Sequence, residues 1–436
     1  EASGGAPIPV TRLTGGQSSH RWPQFLPDGR RFLFFGIAEQ EPGLRGAFVG
    51  SLDGGEVTRA LADNAPAMYA PPGYLLHVSD GVLMAHRFDG ARVPVSEESV
   101  LVAQPVASDA RNFRAAVSVS EGGVLAYRSG AALRRQLVWV DRTGRTLSIP
   151  GLPDETGVDF GFELAPDGQR VAGQRVVQQN SDIWITDIVR GISSRFTVDP
   201  VLDSAPLWSP DATRLVFSSL HNGTLDLFEK PLNGASDQRP VLVSKEDKSA
   251  QDWSWDGRFL LYATQQPTTR VDLWALPLTG EGKPFPVAQT SFDEAEGRFS
   301  PDGRWVAYTS NETGRSEIYV RAFPGPGDKW QVSKGGGNFA RWRRDGRELF
   351  YLTLDKRLMA APIQIALDGR VLSPGASVEL FQTRLPISSA NASGGVLTSR
   401  ADYAVAPDGR FLMNIAAADI VSPITVVLNW TAGLEK

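Results

Sequence analysis

The sequence predicts an all-β fold, a single β-propeller of four-stranded antiparallel blades. Three observations carry that prediction. A tight-turn signature recurs at near-constant spacing along the 436-residue chain. Each copy of the turn is followed by short runs of alternating apolar and polar residues. No segment shows convincing helical periodicity.

The turn reads Pro27-Asp-Gly-Arg30, Pro166-Asp-Gly-Gln169, Pro301-Asp-Gly-Arg304 and Pro407-Asp-Gly-Arg410. Variants are Pro210-Asp-Ala-Thr213, Trp255-Asp-Gly-Arg258 and Arg344-Asp-Gly-Arg347, with weaker copies at Pro71-Pro-Gly73 and Ser120-Glu-Gly-Gly123. Proline presets φ, and glycine takes the position where φ must be positive. The glycine positions 29, 73, 122, 168, 212, 257, 303, 346 and 409 lie 43 to 49 residues apart, except for a last gap of 63. That longer gap is read as an insertion around 386–396. Ala212 stands where the turn wants glycine, which predicts local strain or a different turn.

Within a copy the elements follow in order. The seventh reads Gly297–Ser300, turn, Trp305–Thr309, Glu317–Arg321 and Trp330–Ser333. The second contains a two-residue hairpin at Asp80-Gly81, which pairs His77 with Met84 and His86 with Leu75. Four strands every 40 to 50 residues make a propeller blade. Four residues before the turn position stands a bulky apolar residue in every copy but the third, which has Ser118: Phe25, Tyr69, Leu164, Trp208, Trp253, Phe299, Trp342 and Val405. These are expected to wedge between blades.

Nine copies predict nine blades; eight blades with one irregular insertion is the alternative, because the second and third turns are degenerate. Residues 1–8 read as the end of a linker and 9–436 as the propeller. The ninth copy has only three strands, so the strand at 9–14 is expected to pair with the C-terminal blade at 401–431 and close the ring. A first residue of Glu1 rather than Met is expected of an excised part of a longer chain.

Composition narrows the function. Hydrophobic residues at 42% and charged residues at 21% are those of an ordinary globular protein. There is no cysteine, which removes disulfides, thiolate nucleophiles and thiolate metal ligands. A net charge of −5 gives no support for nucleic-acid binding. No apolar run approaches the length of a membrane span, and no stretch reads as a signal peptide.

The motifs Ser300-Pro-Asp-Gly-Arg304, Trp305-Val-Ala-Tyr308 and Glu317-Ile-Tyr-Val320 resemble the repeat of TolB-type propellers. The whole chain resembles the C-terminal region of large bacterial transmembrane serine/threonine kinases. That likeness is carried by Tyr69-Ala-Pro-Pro-Gly-Tyr-Leu-Leu76, Asp182-Ile-Trp184, Arg341-Trp-Arg-Arg-Asp-Gly-Arg-Glu-Leu-Phe-Tyr351 and Pro423-Ile-Thr-Val-Val-Leu-Asn-Trp-Thr-Ala-Gly433. The resemblance implies an extracytoplasmic sensor, periplasmic or at the cell surface, tied to the membrane only through a helix outside this fragment. The alternative it implies is a free-standing periplasmic scaffold that binds other proteins. The kinase's own motifs, a Gly-rich phosphate loop, His-Arg-Asp and Asp-Phe-Gly, are not in the chain.

The fragment is expected not to be an enzyme and to need no cofactor. A serine hydrolase needs a Gly-x-Ser-x-Gly elbow, and the nearest string, Gly16-Gln-Ser-Ser-His20, lacks the second glycine. His77 and His86 could form half a zinc site, but ordinary packing is the favoured reading and no metal site is assigned. The acidic clusters at Asp154/Glu155/Asp159, Asp199/Asp203, Asp247/Asp252 and Asp293/Glu294/Glu296 match no calcium loop and read as solvated loop charge.

The connections entering the inner strands are expected to converge on one face of the ring. Candidate ligand-binding residues there are His20, Arg21, Trp22, Arg111, Arg114, Asp159, Asp203, Asp252, Glu294, Glu296, Arg341 and Asp402. They would form an acidic arc in copies four to seven and a basic one in copies nine, one and three. The expected partner is a small polar ligand or a peptide or protein, held by no catalytic residue.

Overall fold

The structure is a computed structural model. It describes residues 8–434 except 15, 39–41, 62–64, 91–92, 94, 96–97, 110–113, 130–134, 152–160, 178–179, 222, 235–236, 267, 281, 326, 367–370, 386–399 and 417–422. Among the described residues there are strands, turns and two single-turn 3-10 segments, Pro42–Leu44 and Trp430–Gly433. None of the helices there is long and apolar enough to cross a membrane. The chain divides into two compact units, Glu1–Leu133 with Ala418–Lys436, and Arg134–Ala417.

The second unit is a closed ring of six antiparallel sheets among the described residues. Blades 1 to 4 have innermost strands Phe162–Leu164, Asp203–Trp208, Lys248–Trp253 and Glu294–Phe299, each followed by three more strands in chain order. Blade 5 starts at Asn338–Trp342, and its long strand Arg357–Ile365 is flanked by both Leu372–Pro374 and Val378–Gln382. Blade 6 is composite. Its inner strands Tyr403–Val405 and Phe411–Ala416 come from the end of the unit, and its outer strands Arg135–Val140 and Thr146–Ser148 from the beginning. Each innermost strand packs against the next, and that of blade 6 packs against that of blade 1. The repeat therefore does build a propeller.

The closing strand is not the expected one. Residues 9–14 form no strand, and the partner of Phe411–Ala416 is Arg135–Val140, paired at all six positions. The reason lies in the two segments. Arg135-Gln-Leu-Val-Trp-Val140 is buried along its whole length. Residues 9–14 open on Pro9, which has no N–H to give a ladder, and their Val10 and Leu13 are exposed. The predicted single ring of nine blades is accordingly divided. Copies four to nine supply the six-sheet ring, and copies one to three belong to the first unit.

Among the described residues the first unit holds two four-stranded sheets, one starting at Gln17–Phe25 and one at Ala67–Ala70, a two-stranded sheet of Ser108–Asp109 with Arg114–Ala115, and a three-stranded sheet. The three-stranded sheet joins Val117–Val119 and Leu125–Arg128 to Ile424–Val427. The third and ninth copies thus exchange strands. The outer pair of copy three completes the ninth copy's sheet, and the third strand of copy nine completes the third copy's sheet.

The turn chemistry follows the sequence closely. Gly257 and Gly303 have φ near +70° to +75°, and each N–H closes the turn on the serine carbonyl three residues back. Ala212 keeps the same turn, with φ +54° and its N–H on Ser209 O at 2.9 Å. Of the two outcomes expected there, strain is the one realised. In the third copy the positive-φ residue is Gly123, one place later than the spacing suggested. The Asp80-Gly81 hairpin has the expected register, with His77 opposite Met84 and Leu75 opposite His86.

Bulky residues wedge between blades as expected, and their polar atoms tie neighbours together. Trp208 Nε1 donates to Glu163 O of blade 1, and Trp342 Nε1 to Arg298 O of blade 4, both at 3.1 Å. Phe25 departs from this pattern and is 57% exposed. Between blades 4 and 5 the layer contains Trp305, Ile318, Val320, Leu349 and Tyr351, each 3% exposed or less. Burying side chains of this size contributes about 1.5–3 kcal/mol each.

Two predictions follow from this architecture. Leu137→Ala, on the fully buried closing strand, is expected to cost about 2–5 kcal/mol, whereas removal of residues 1–14 leaves the melting transition nearly unmoved; calorimetry of the two variants checks both. Ala212→Gly relieves a left-handed residue worth about 1–2 kcal/mol and gains flexibility when unfolded, for a net stabilisation of about 0.5–1 kcal/mol. Chemical denaturation measures it.

Candidate ligand site on the axis of the six-bladed ring

One position in each blade points at the axis, five residues before the turn position. It is occupied by Glu163, Leu207, Asp252, Arg298, Arg341 and Ala404, all of which line one cavity. Bulges lie in the strands of four of these side chains, Leu207, Asp252, Arg298 and Arg341. Register shifts interrupt the innermost strands between Ser204 and Leu207, Ala250 and Asp252, Ala295 and Arg298, and Asn338 and Arg341. Ala205, Glu296 and Phe339 sit within three of these bulges at φ of +50° to +59°. A bulge bends its strand and redirects the side chains that follow it.

The cavity has a volume of about 170 Å³. Its rim is Pro166, Pro210, Trp255, Pro301, Arg344 and Pro407, the residues that open each blade's turn. Trp255 is 46% exposed, and the Arg344 guanidinium lies 5.7 Å from its ring centre. The opening is therefore on the turn side of the ring, the opposite end of the innermost strands from the one the sequence reading expected. At the expected end the axis is filled. Arg400 donates to Gln251 O at 3.0 Å, Ala205 O at 2.9 Å and Ala250 O at 2.6 Å. Tyr403 donates its hydroxyl proton to Phe339 O at 2.7 Å.

The floor is a buried charge network. Glu163 Oε1 accepts from Arg298 and faces Arg341 Nη2 at 3.5 Å and Arg400 Nη1 at 3.6 Å. Burial alone would raise the Glu163 pKa, but the three guanidinia outweigh it and hold the carboxyl at about 2. Asp252 shares Arg298, 3.5 Å away, and accepts from Phe299 N at 2.7 Å. Burial dominates there and pushes its pKa up. Glu296, which accepts from Phe339 N at 2.6 Å and Thr309 Oγ1 at 2.7 Å, is likewise raised by burial. Arg341 is pushed down by burial and then by Arg298, and Arg400 falls to about 9, again chiefly through burial. Three guanidinia thus surround Glu163, and Arg298 is shared between Glu163 and Asp252. Arg298 Nε is buried with no acceptor.

Of the sequence-predicted candidates, Asp252 and Arg341 line the cavity, and Glu296 belongs to the network beside it. Asp402 is buried against Arg135, 3.4 Å away, and Asn414 Nδ2, 2.8 Å away. Glu294 accepts from Thr290 N at 3.1 Å, with Ser310 Oγ at 3.5 Å. Asp203 is fully buried, so the reading of these acids as solvated loop charge does not hold for Asp203 or Glu294. The remaining described candidates belong to the first unit. His20 contacts Thr11 Oγ1 at 2.9 Å and Gln17 Oε1 at 3.0 Å, Arg21 donates to Ser19 Oγ at 3.2 Å, and Arg114 lies 4.7 Å from the centre of the Trp22 ring. The basic arc they were expected to contribute is therefore not part of this ring. Arg111 and Asp159 lie outside the described residues. His77 and His86 pack edge to face, 5.0 Å apart, and among the described residues no group of three ligating side chains gathers for a metal.

Glu163, Arg298, Trp255 and Arg400 are not among the candidates read from the sequence. The available signal was positional. Charged residues recur five places before the turn glycine, in strands otherwise rich in apolar residues.

No family model matches the chain, and no curated protein matches it. Solved structures do resemble it. A structure described as a putative TolB from Agrobacterium tumefaciens has 16% identity and a TM-score of 0.46, covering 65% of this chain and 99% of that one. TolB from Acinetobacter baumannii has 14% identity and a TM-score of 0.37, covering 70% of this chain and 64% of that one. The tricorn protease has 12% identity and a TM-score of 0.39, covering 85% of this chain and 40% of that one. The propeller is established here by its own ring of sheets.

Asp203 generates a pH prediction. Burial raises its carboxyl from 3.8 to about 6, although the Ser219 and Thr197 hydroxyls are close enough to oppose the shift. The native state then holds a proton that the unfolded chain has released between pH 4 and 6, so stability falls as pH rises through that window. Asp203→Asn removes the penalty. It is expected to stabilise the protein at pH 8 by up to about 3 kcal/mol and to change little at pH 4; melting curves at the two values check it.

Proposed function

We propose that the chain is a non-catalytic binding module whose ligand enters the axial cavity of the six-bladed ring. The observation that carries this reading is the combination of a formed cavity, an apolar rim and a few convergent charged groups on its floor, the usual make-up of a ligand pocket. In sequence, the likeness of Asp182-Ile-Trp184, Arg341–Tyr351 and Pro423–Gly433 to the C-terminal region of transmembrane serine/threonine kinases supports a finer assignment. On that assignment the chain is the extracytoplasmic sensor of such a kinase, and occupancy of the cavity alters the association of the attached catalytic domains.

A protein-interaction scaffold is the second reading, favoured by a separate observation. The strand Ile424–Val427 is the edge of a three-stranded sheet, and Ile424, Val426 and Leu428 along it are 73%, 58% and 69% exposed. An apolar edge of that kind is a ready partner for another chain.

Thermal-shift screening of the chain against organic acids, sugars and peptides tests the cavity reading. Trp255→Ala combined with Arg344→Glu, both on the exposed rim, is expected to weaken a true ligand at least ten-fold without lowering the melting temperature of the free protein. A ligand that binds this double variant unchanged would place the site elsewhere. The kinase assignment is tested by whether the parent gene also encodes a kinase domain and one membrane helix.

A further inference from the structure

The cavity's charge and shape are specific enough to name a ligand class. Resting on the binding reading above, we infer that the site takes a carboxylate borne on a small apolar body, the carboxylate against Arg341 and Arg298 and the apolar body against Trp255 and the rim prolines.

The cavity lining carries three guanidinia, Arg298, Arg341 and Arg344, against two carboxylates, Glu163 and Asp252. Arg298, Arg341 and Arg400 crowd one Glu163 oxygen, and only Arg298 makes close contact with it. Arg341 has no carboxylate nearer than 3.5 Å; its one short bond, at 3.0 Å, goes to the backbone carbonyl of Ala340. Arg298 carries a buried Nε–H with no acceptor. A planar carboxylate matches the fork of guanidinium donors in two parallel hydrogen bonds. A cationic ligand would meet three guanidinia, and a neutral one would leave the unused donors unpaired.

The rim selects the other end of the molecule. Four of its six residues are prolines, which have no backbone N–H to offer, and a fifth is Trp255. These surfaces give apolar contact, with Arg344 as the one charge. A volume of about 170 Å³ equals that of roughly five or six water molecules. It admits a carboxylate with one side chain, such as the free C-terminus of a peptide or a small organic acid, and excludes a folded surface.

Calorimetric titration of the full chain tests this with four probes: N-acetyl-Leu-Phe as the free acid, the same dipeptide as its C-terminal amide, 3-phenylpropionate and inorganic phosphate. The free acid is expected to bind at least about ten-fold more tightly than the amide, since a charge-assisted hydrogen bond is lost. Arg341→Gln is expected to erase that difference, and Arg344→Gln, on the exposed rim, to reduce it if the buried variant fails to fold. Tighter binding of the dipeptide acid than of phenylpropionate identifies a chain terminus as the source, and the reverse a free organic acid. Equal binding of acid and amide, phosphate binding at least as tightly as either acid, or no binding of any probe at millimolar concentration overturns the inference. A neutral ligand sensitive to Trp255→Ala would do so while leaving the cavity reading intact. A ligand indifferent to both Trp255→Ala and Arg344→Glu would remove the cavity reading itself.

Discussion

Backbone pairing between Arg135–Val140 and Phe411–Ala416 joins segments at the two ends of the second unit, and the rest of that unit depends on it. Without this ladder, blade 6 would keep two strands, and its outer edge would be open to other chains. With it, the innermost strand of blade 6 is held between blades 5 and 1. That position fixes Arg400, whose guanidinium reaches back to the carbonyls of Ala205, Ala250 and Gln251 in blades 2 and 3. The floor of the cavity is therefore assembled from both ends of the unit's chain. The entropy of closing so long a loop grows only slowly with its length, so six paired positions along the buried strand Arg135–Val140 can outweigh it.

The exchange between the third and ninth copies explains why the sequence reading of the fold was right about the blade and wrong about the ring. The turn, the four-strand order and the wedge residue are local properties, written into each 45-residue copy, and they were legible. Which outer strand completes which sheet is not local. Copies made of the same elements offer interchangeable surfaces, so a repeat spacing cannot say where one ring ends. The distinguishing feature was the unbroken burial of Arg135–Val140, against a segment at 9–14 that begins with proline and buries neither of its large apolar side chains. In sequence both look like short apolar strands.

The site was legible only in part for a related reason. Asp252 and Arg341 stand in the stretches entering or within the innermost strands, where charge was looked for, and both reach the axis. Glu163 and Arg298 reach it too, but each sits between apolar residues in a strand, where alternation alone suggests an outward-facing position. For Arg298 a bulge changes that, whereas Glu163 reaches the axis from a strand paired without a register shift. With Glu296 and Phe339 in the left-handed region, the alternation slips by a residue and the next charge turns toward the axis. Nothing in the composition of these strands marks a bulge, because the residues in the left-handed conformation are not glycine or asparagine.

Buried carboxylates occur in two settings in the ring, and the contrast separates scaffold from site. Asp182, Asp226, Asp272 and Glu317 open the third strand of successive blades or lie near its start, and each is 4% exposed or less. Nearby donors meet each of them, although Asp272 Oδ1 is left without one. Asp226 accepts from Ser244 N at 3.1 Å and Lys248 Nζ at 2.6 Å, and Glu317 from Gly335 N at 2.9 Å and Gly336 N at 3.0 Å. These bonds pin the connection leading into the next blade. On the axis the balance is reversed, because guanidinium donors outnumber the acceptors that meet them at close range. Donors that folding leaves unmatched in a walled cavity cost free energy until something arrives to accept from them. On the axis the unmatched groups are guanidinium donors, Arg298 Nε among them, and a carboxylate is the kind of acceptor that would relieve that cost.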